Sequence, residues 1–154
     1  MEERFETFTV LIAKISRNIR KIKNREMPEY DLRSAHVSCL YYLYTHSSLT
    51  ATELSERCEE DKATVSRVIE YLVSRGFISY PQPEGKRYKI PLTLTEKGRQ
   101  AGKKIYEKVS LVLDEVGAEL TEEERLSFYK CLAVISENLE RIAESDSRAS
   151  SAEA

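Results

Sequence analysis

Residues 61–94 read DKATVSRVIEYLVSRGFISYPQPEGKRYKIPLTL, and this stretch decides the fold of the chain. Asp61 is a short carboxylate of the kind that caps a helix by accepting the free N–H groups of its first turn. Apolar residues then recur at helical spacing, at Val65, Val68 or Ile69, and Leu72. Gly76 follows the last turn, where a left-handed residue is favoured. The sequence therefore predicts an amphipathic helix that ends at a glycine.

A strand, a basic turn and a second strand are predicted after this helix. Residues 77–80 form the first strand, and Tyr88 to Leu94 return as the second. Pro81 and Pro83 cannot donate ladder hydrogen bonds, so the chain leaves the sheet there. The turn between the strands, residues 84–87, reads EGKR and is basic. A helix with hydroxyls and cations on its outer face, followed by a basic β-turn, is typical of a winged helix that binds DNA.

The composition predicts a cytoplasmic globular protein of one domain, or of one domain with a dimerisation element. The chain has 154 residues and a hydrophobic content of 41%, which can supply a core. It contains neither a recognisable export signal nor an apolar run of the roughly eighteen residues that a membrane helix needs. Cys39, Cys58 and Cys131 are odd in number and widely spaced, which favours free thiols in a reducing compartment.

The net charge of −2 hides a strongly uneven distribution. Residues 61–104 carry ten Lys or Arg against four Asp or Glu, whereas residues 105–154 carry five against twelve. Phosphate binding needs a local cationic surface and does not need a basic protein. The basic region coincides with the predicted helix and turn, and this favours a nucleic-acid partner.

Two shorter helices precede residue 61. Residues 34–46 are predicted to form the first, and Thr50 with Glu53 forms a capping-box pattern that begins the second, which ends near Cys58. Short helices joined in this way to the helix at 61 make a helix-turn-helix. The predicted fold is mainly α with a small β-wing (α+β), and residues 31–95 form the winged helix-turn-helix lobe.

Narrow apolar stripes at both ends of the chain predict dimerisation helices. Their residues alternate at spacings of three and four, as in coiled coils, and such a stripe is more easily covered by a second subunit than by one small domain. A helix lying on its own core is the alternative. The predicted segments are residues 1–30, residues 96–144, and a disordered tail at 145–154. The interface residues are Phe5, Phe8, Ile12, Ile15, Ile19, Leu132, Ile135, Leu139 and Ile142.

The order of six helices with a wing resembles the MarR family of transcription regulators. The strings that carry the resemblance are LTATELSERCEEDKATVSRVIEYLVSRGFI at residues 49–78 and LTLTEKG at residues 92–98, and the likeness extends over about residues 5–143. It implies a dimeric repressor of a pseudo-palindromic operator, with double-stranded DNA and a second copy as partners and with no cofactor. Many members release DNA when a small aromatic or lipophilic effector binds.

In the wing, two residues depart from the family pattern, since Lys86 and Tyr88 stand where many members carry an Asp-x-Arg pair.

The resemblance and the charge pattern together suggest which residues contact DNA. The predicted DNA-binding residues are Thr52, Lys62, Thr64, Ser66, Arg67, Arg75, Lys86, Arg87 and Lys89. A solvated helix face is the alternative for the recognition helix.

Other functions have less support in the sequence. Tyr30, His36 and Tyr41 could line an effector site, although helix capping and core packing are the more frequent roles of such residues. Redox sensing is disfavoured, because Cys58 adjoins two glutamates that would raise its pKa. No catalytic motif or metal-ligand spacing occurs, so neither an enzyme nor a metal site is expected. A winged-helix module that binds an acidic protein is the alternative to a DNA-binding regulator.

Overall fold

The computed structural model describes residues 6–25, 30–58, 60–79 and 90–152. These residues form six α-helices and two short strands, which confirms the mainly α prediction. A π-helical segment, Glu6–Leu11, leads into the first helix. The elements are α1 (Ile12–Arg25), α2 (Ser34–Thr45), α3 (Ala51–Cys58), α4 (Lys62–Ser74), β1 (Ile78–Ser79), β2 (Thr93–Leu94), α5 (Glu96–Val116) and α6 (Glu122–Ala152).

The chain divides into two compact units, Met1–Ser110 and Leu111–Ala154. The first unit contains the helix-turn-helix elements, the strands and the first part of α5, and the second contains the end of α5 and all of α6. The segment boundaries predicted at residues 30, 95 and 144 remain predictions.

The core of the first unit is built by α2, α3 and α4 together with the strand segments. Leu40, Leu54, Leu72, Phe77 and Leu92 are all fully buried. The predicted apolar face of α4 is confirmed, since Val65, Val68, Ile69 and Leu72 are buried. Burial of these side chains is the main source of the lobe's stability, at about 1.5–3 kcal/mol for each large side chain. The opposite face of α4 is consequently left to solvent.

Gly76 ends α4 in the left-handed conformation that its position predicts, with φ of 72°. Its N–H donates to the carbonyl of Val73 at 2.9 Å, and the N–H of Phe77 donates to the carbonyl of Leu72 at 2.8 Å. This pair of hydrogen bonds is a Schellman motif, which satisfies carbonyls that the end of a helix leaves free. The motif turns the chain directly from α4 into β1.

Within the described residues, both strands begin later than the sequence predicts. Ile78 pairs with Leu94 and Ser79 with Thr93 in an antiparallel sheet, while Pro91 lies outside the strands. Leu92 instead bridges to Leu49, to whose carbonyl its N–H donates at 2.8 Å. Proline cannot donate a ladder hydrogen bond, which accounts for the late start of β2. Residues 80–89 lie outside the described part of the chain.

Both terminal stripes are exposed. Helix α1 has no buried residue, and Phe8, Ile12, Ile15 and Ile19 are exposed. In the second unit Leu132, Leu139 and Ile142 are exposed and Ile135 is half-buried. Phe5 lies outside the described residues.

Helix α6 extends as far as Ala152, and the disordered tail at residues 145–154 remains a prediction. None of the helices within the described residues is long and apolar enough to span a membrane.

Candidate nucleic-acid interface

The start of α4 is held by the predicted cap. Asp61 has extended backbone angles, and its carboxylate accepts hydrogen bonds from the Thr64 N–H at 2.9 Å and the Thr64 hydroxyl at 2.7 Å. These hydrogen bonds, first that from the hydroxyl, lower the pKa of Asp61. The carboxylate thus stays charged at the positive end of the helix, where an anion is favoured.

Arg67 is connected to this cap through Thr64. Its Nη2 donates to Thr64 Oγ1 at 3.2 Å, while the same hydroxyl donates to Asp61. We call this arrangement of Asp61, Thr64 and Arg67 the cap network. Because the hydroxyl of Thr64 has both an acceptor and a donor within the protein, its role here is to position the Arg67 guanidinium. The spacing of these three residues along the sequence predicts that they lie on adjacent helical turns. It does not predict the hydrogen bonds between them.

The outer face of α4 presents the predicted polar residues to solvent. Lys62, Ser66 and Arg67 are exposed, and Thr64 is half-buried. Hydroxyls and cations of this kind hydrogen-bond phosphates and base edges, and arginine can bind both acceptors of a guanine edge. The start of α4 therefore has the chemistry of a recognition helix.

Arg75 has more structural contacts than its sequence position suggests. Its N–H caps the end of α4, and its guanidinium lies 5.8 Å from the centre of the Tyr71 ring. Its carbonyl accepts a hydrogen bond at 2.8 Å from Nζ of Lys97, which also lies over the Phe77 ring. The contribution of Lys97 was missed, because nothing local in the sequence pairs it with a residue in another helix.

Helix α3 begins with the predicted capping box. The Glu53 carboxylate accepts from the N–H and the hydroxyl of Thr50, each at 2.8 Å, and the Glu53 N–H donates to the Thr50 hydroxyl at 3.2 Å. Thr52, in the first turn, is exposed. Lys86, Arg87 and Lys89, the predicted wing contacts, lie outside the described residues.

The three candidate effector residues each contact a different aromatic ring. Tyr30 meets Phe77 edge-on at 5.7 Å, His36 stacks on Tyr71 at 4.4 Å, and Tyr41 stacks on Tyr106 at 6.2 Å. His36 Nδ1 also accepts a hydrogen bond from the Arg33 N–H at 3.0 Å, at the start of α2. These residues thus make helix-capping and packing contacts, which are the alternatives to an effector-binding role.

His36 should make the protein less stable as the pH falls. Burial, and secondarily the charge of Arg33, lower the pKa of His36 from 6.5. Below pH 6.5, His36 is therefore protonated more readily in the unfolded chain than in the folded protein. The free energy of unfolding decreases as a result. Between about pH 7.5 and about pH 5.5, the urea midpoint of the native protein should decrease. We expect this decrease to be larger than the decrease for His36→Gln.

Glutamine can still accept from the Arg33 N–H but does not titrate in this range. His46→Gln keeps His36 in place and is the matched control. Equal pH dependence in the native protein and His36→Gln would contradict the prediction.

Comparison with known proteins agrees with this geometry. Residues 30–87 match the model of the MarR family. YwoH of Bacillus subtilis, named as an uncharacterised HTH-type transcriptional regulator, is 28% identical over 117 residues, which cover 76% of this chain and 85% of that protein. The family-model match, over residues 30–87, includes α4 and the cap network.

Two solved structures from Staphylococcus aureus have the same fold. MepR in complex with DNA is 19% identical, with a TM-score of 0.76, covering 87% of this chain and 97% of its own. MarR in complex with salicylate and kanamycin is 20% identical, with a TM-score of 0.75, covering 91% and 92%. Residues 30–87 thus match the MarR family of transcriptional regulators, the curated relative is an HTH-type regulator, and the helix-turn-helix with paired strands has the winged-helix fold of the solved MarR-family structures.

Proposed function

We propose that this protein is a cytoplasmic repressor that binds a pseudo-palindromic DNA operator as a homodimer. The observation that carries the proposal is the cap network, which holds the guanidinium of Arg67 at the exposed start of α4. Arginine held at a helix start can hydrogen-bond both acceptors of a guanine in the major groove. Lys62 and Ser66, exposed on the same helix, would contact phosphates or neighbouring bases.

Homodimerisation is supported by the exposed apolar residues in both units. Isoleucine and leucine at coiled-coil spacing lose contact with water when a second chain covers them, and burial contributes about 25 cal/mol per Å² of apolar surface. Ile15 of α1 and Leu139 of α6 are about half exposed, at 51% and 47%. Two copies of α4 held at a fixed separation would read two half-sites, about one helical turn of DNA apart.

An aromatic or lipophilic effector is a further part of the proposal. The salicylate complex of the similar S. aureus MarR supports this class of ligand. The residues proposed to contact it are Tyr30, His36 and Tyr41, whose rings lie around α2 and could stack on an aromatic acid. Lys86, Arg87 and Lys89 are proposed to contact the DNA backbone or the minor groove from the wing.

Selection from a random DNA duplex library tests the proposal. We expect the full chain to enrich two inverted half-sites, and to bind the enriched duplex with an affinity that falls steeply as salt increases. Light scattering should give twice the chain mass of 17.7 kDa. Salicylate added to the selected complex should lower the affinity.

The control for this test is a duplex with one half-site scrambled, which should bind much more weakly. No enrichment from the library, together with a stable complex with an acidic protein, would instead favour the protein-interaction module. A monomer mass would contradict the dimer.

A further inference from the structure

Two cysteines that are distant in sequence meet between α2 and α3. The sulfur atoms of Cys39 and Cys58 lie 3.6 Å apart, although the residues are 19 positions apart in the chain. Cys39 is buried in the core, whereas Cys58, the last residue of α3, is only half-buried. A disulfide bond is about 2.05 Å long, so the sulfurs would have to approach by about 1.5 Å.

The surroundings of the two thiols differ in a way that suits a reaction. The hydrogen bond to Cys58 and burial raise the pKa of Cys39. The same hydrogen bond lowers the pKa of Cys58, and the positive charge of Lys23 lowers it further, while burial and Glu60 act in the opposite direction. The neighbouring glutamates led to the expectation of a raised pKa for Cys58, whereas the hydrogen bond with Cys39 lowers it.

Lys23 is held beside this pair by a hydrogen bond. Its Nζ donates to the Ser38 hydroxyl at 3.0 Å, and Ser38 precedes Cys39 on α2. The hydroxyl in turn donates to the Ser34 carbonyl at 3.1 Å. Partial exposure, a nearby cation and an adjacent second thiol are the features that distinguish reactive cysteines from structural ones.

We propose that Cys39 and Cys58 form a hydroperoxide-reactive pair that closes into a disulfide between α2 and α3. The Cys58 thiolate attacks one oxygen of hydrogen peroxide, the O–O bond breaks, and the hydroxide released takes a proton to become water. Cys58 is then a sulfenic acid. The Cys39 sulfur attacks the Cys58 sulfur, the S–S bond forms, the S–O bond breaks, and the second water leaves with the Cys39 proton. Two thiols lose two electrons, which reduce one peroxide to two waters.

The disulfide would act on DNA binding through the turn that follows Cys58. Ser55 donates its hydroxyl to the Glu60 carbonyl at 2.7 Å, and Asp61 caps α4 directly afterwards. Moving Cys58 toward Cys39 shifts the start of this turn and thereby the Asp61 cap that positions Arg67. This consequence rests on the proposed function, and we expect oxidation to weaken operator binding by about tenfold or more.

Peptide mapping by mass spectrometry tests the disulfide without reference to DNA. Stoichiometric hydrogen peroxide should remove two of the three free thiols of the native chain and yield a Cys39–Cys58 linked peptide. Cys131→Ser should behave like the native protein, because Cys131 lies in the second unit and is exposed. With one equivalent of peroxide, Cys39→Ser should leave Cys58 as a sulfenic acid that a dimedone probe labels, and Cys58→Ser should leave Cys39 reduced. Linkage through Cys131, or no loss of thiols, would overturn the pair.

The effect on DNA is measured separately, with a duplex that the reduced protein binds. Peroxide should weaken binding by the native protein and by Cys131→Ser but not by Cys58→Ser, and dithiothreitol should restore it. Unchanged binding by a fully linked protein would overturn the regulatory effect. If the reduced protein binds no duplex, the proposed function fails, while the mapping still decides the disulfide.

Discussion

Gly98→Ala is expected to destabilise the protein more than any other glycine-to-alanine change within the described residues. A Cβ atom at Gly98 would collide with the backbone carbonyl of Phe77. That carbonyl cannot easily move, because it accepts hydrogen bonds from the Thr95 N–H at 3.0 Å and the Thr95 hydroxyl at 3.1 Å. Alanine would gain about 1 kcal/mol of helix propensity, but forced overpacking costs roughly 3 kcal/mol or more. Urea unfolding, at one protein concentration for all variants, measures the difference.

Two further glycines provide graded controls. A Cβ at Gly102 would lie 2.8 Å from Cβ of Tyr44, so Gly102→Ala should cost less than Gly98→Ala but still destabilise. A Cβ at Gly117 would meet its nearest atom, the Leu113 carbonyl oxygen, at 3.4 Å, which is ordinary contact, and Gly117→Ala should change stability little. A Gly98→Ala protein as stable as the native one would show that α5 can move away from the lobe.

Arg67→Ala is expected to cause the largest loss of sequence-specific DNA binding. The alanine removes a guanidinium that can bind both acceptors of a guanine edge, an interaction that contributes roughly 1–3 kcal/mol to discrimination between bases. Affinity for the selected operator should therefore fall about 5- to 150-fold. Affinity for a random duplex should fall much less, because non-specific binding depends on the sum of the phosphate contacts. Fluorescence anisotropy at one salt concentration measures both.

Arg67→Lys is the matched control, because it keeps the positive charge and loses the planar fork. We expect it to retain non-specific binding but not the discrimination for the operator. Lys103→Ala, on α5, removes one charge at a site paired with Glu107 and should affect both duplexes only slightly. Equal losses on operator and random duplex would identify Arg67 as a phosphate contact only.

Several features of this fold could be predicted because they are local. The caps at Asp61 and at Thr50 with Glu53 each join residues three positions apart, and the structure contains both. The capping box of α6 is likewise present, since the Glu124 carboxylate accepts from the Thr121 N–H at 2.8 Å. Gly76 is left-handed as predicted.

Other features depend on residues that the sequence separates. Leu92 bridges to Leu49, Lys97 holds the Arg75 carbonyl, and Cys39 meets Cys58. No periodicity relates the members of these pairs, so their contacts arise only when the helices pack. The expectation against redox sensing weighed only the sequence neighbours of Cys58 and not its partner in α2, so it remains to be tested.

The sequence by itself determined the six helices, their caps, the order of the winged helix-turn-helix and the surface character of α4, because each depends on interactions within a few residues. Only the tertiary structure decided which exposed side chains are positioned by others. Packing of α3 and α4 against α2 buries one face of each helix. This packing brings together residues that lie far apart in the chain, and their sequence positions do not predict that they meet. The Arg75 backbone is held from α5, and the Cys58 sulfur lies beside a second thiol.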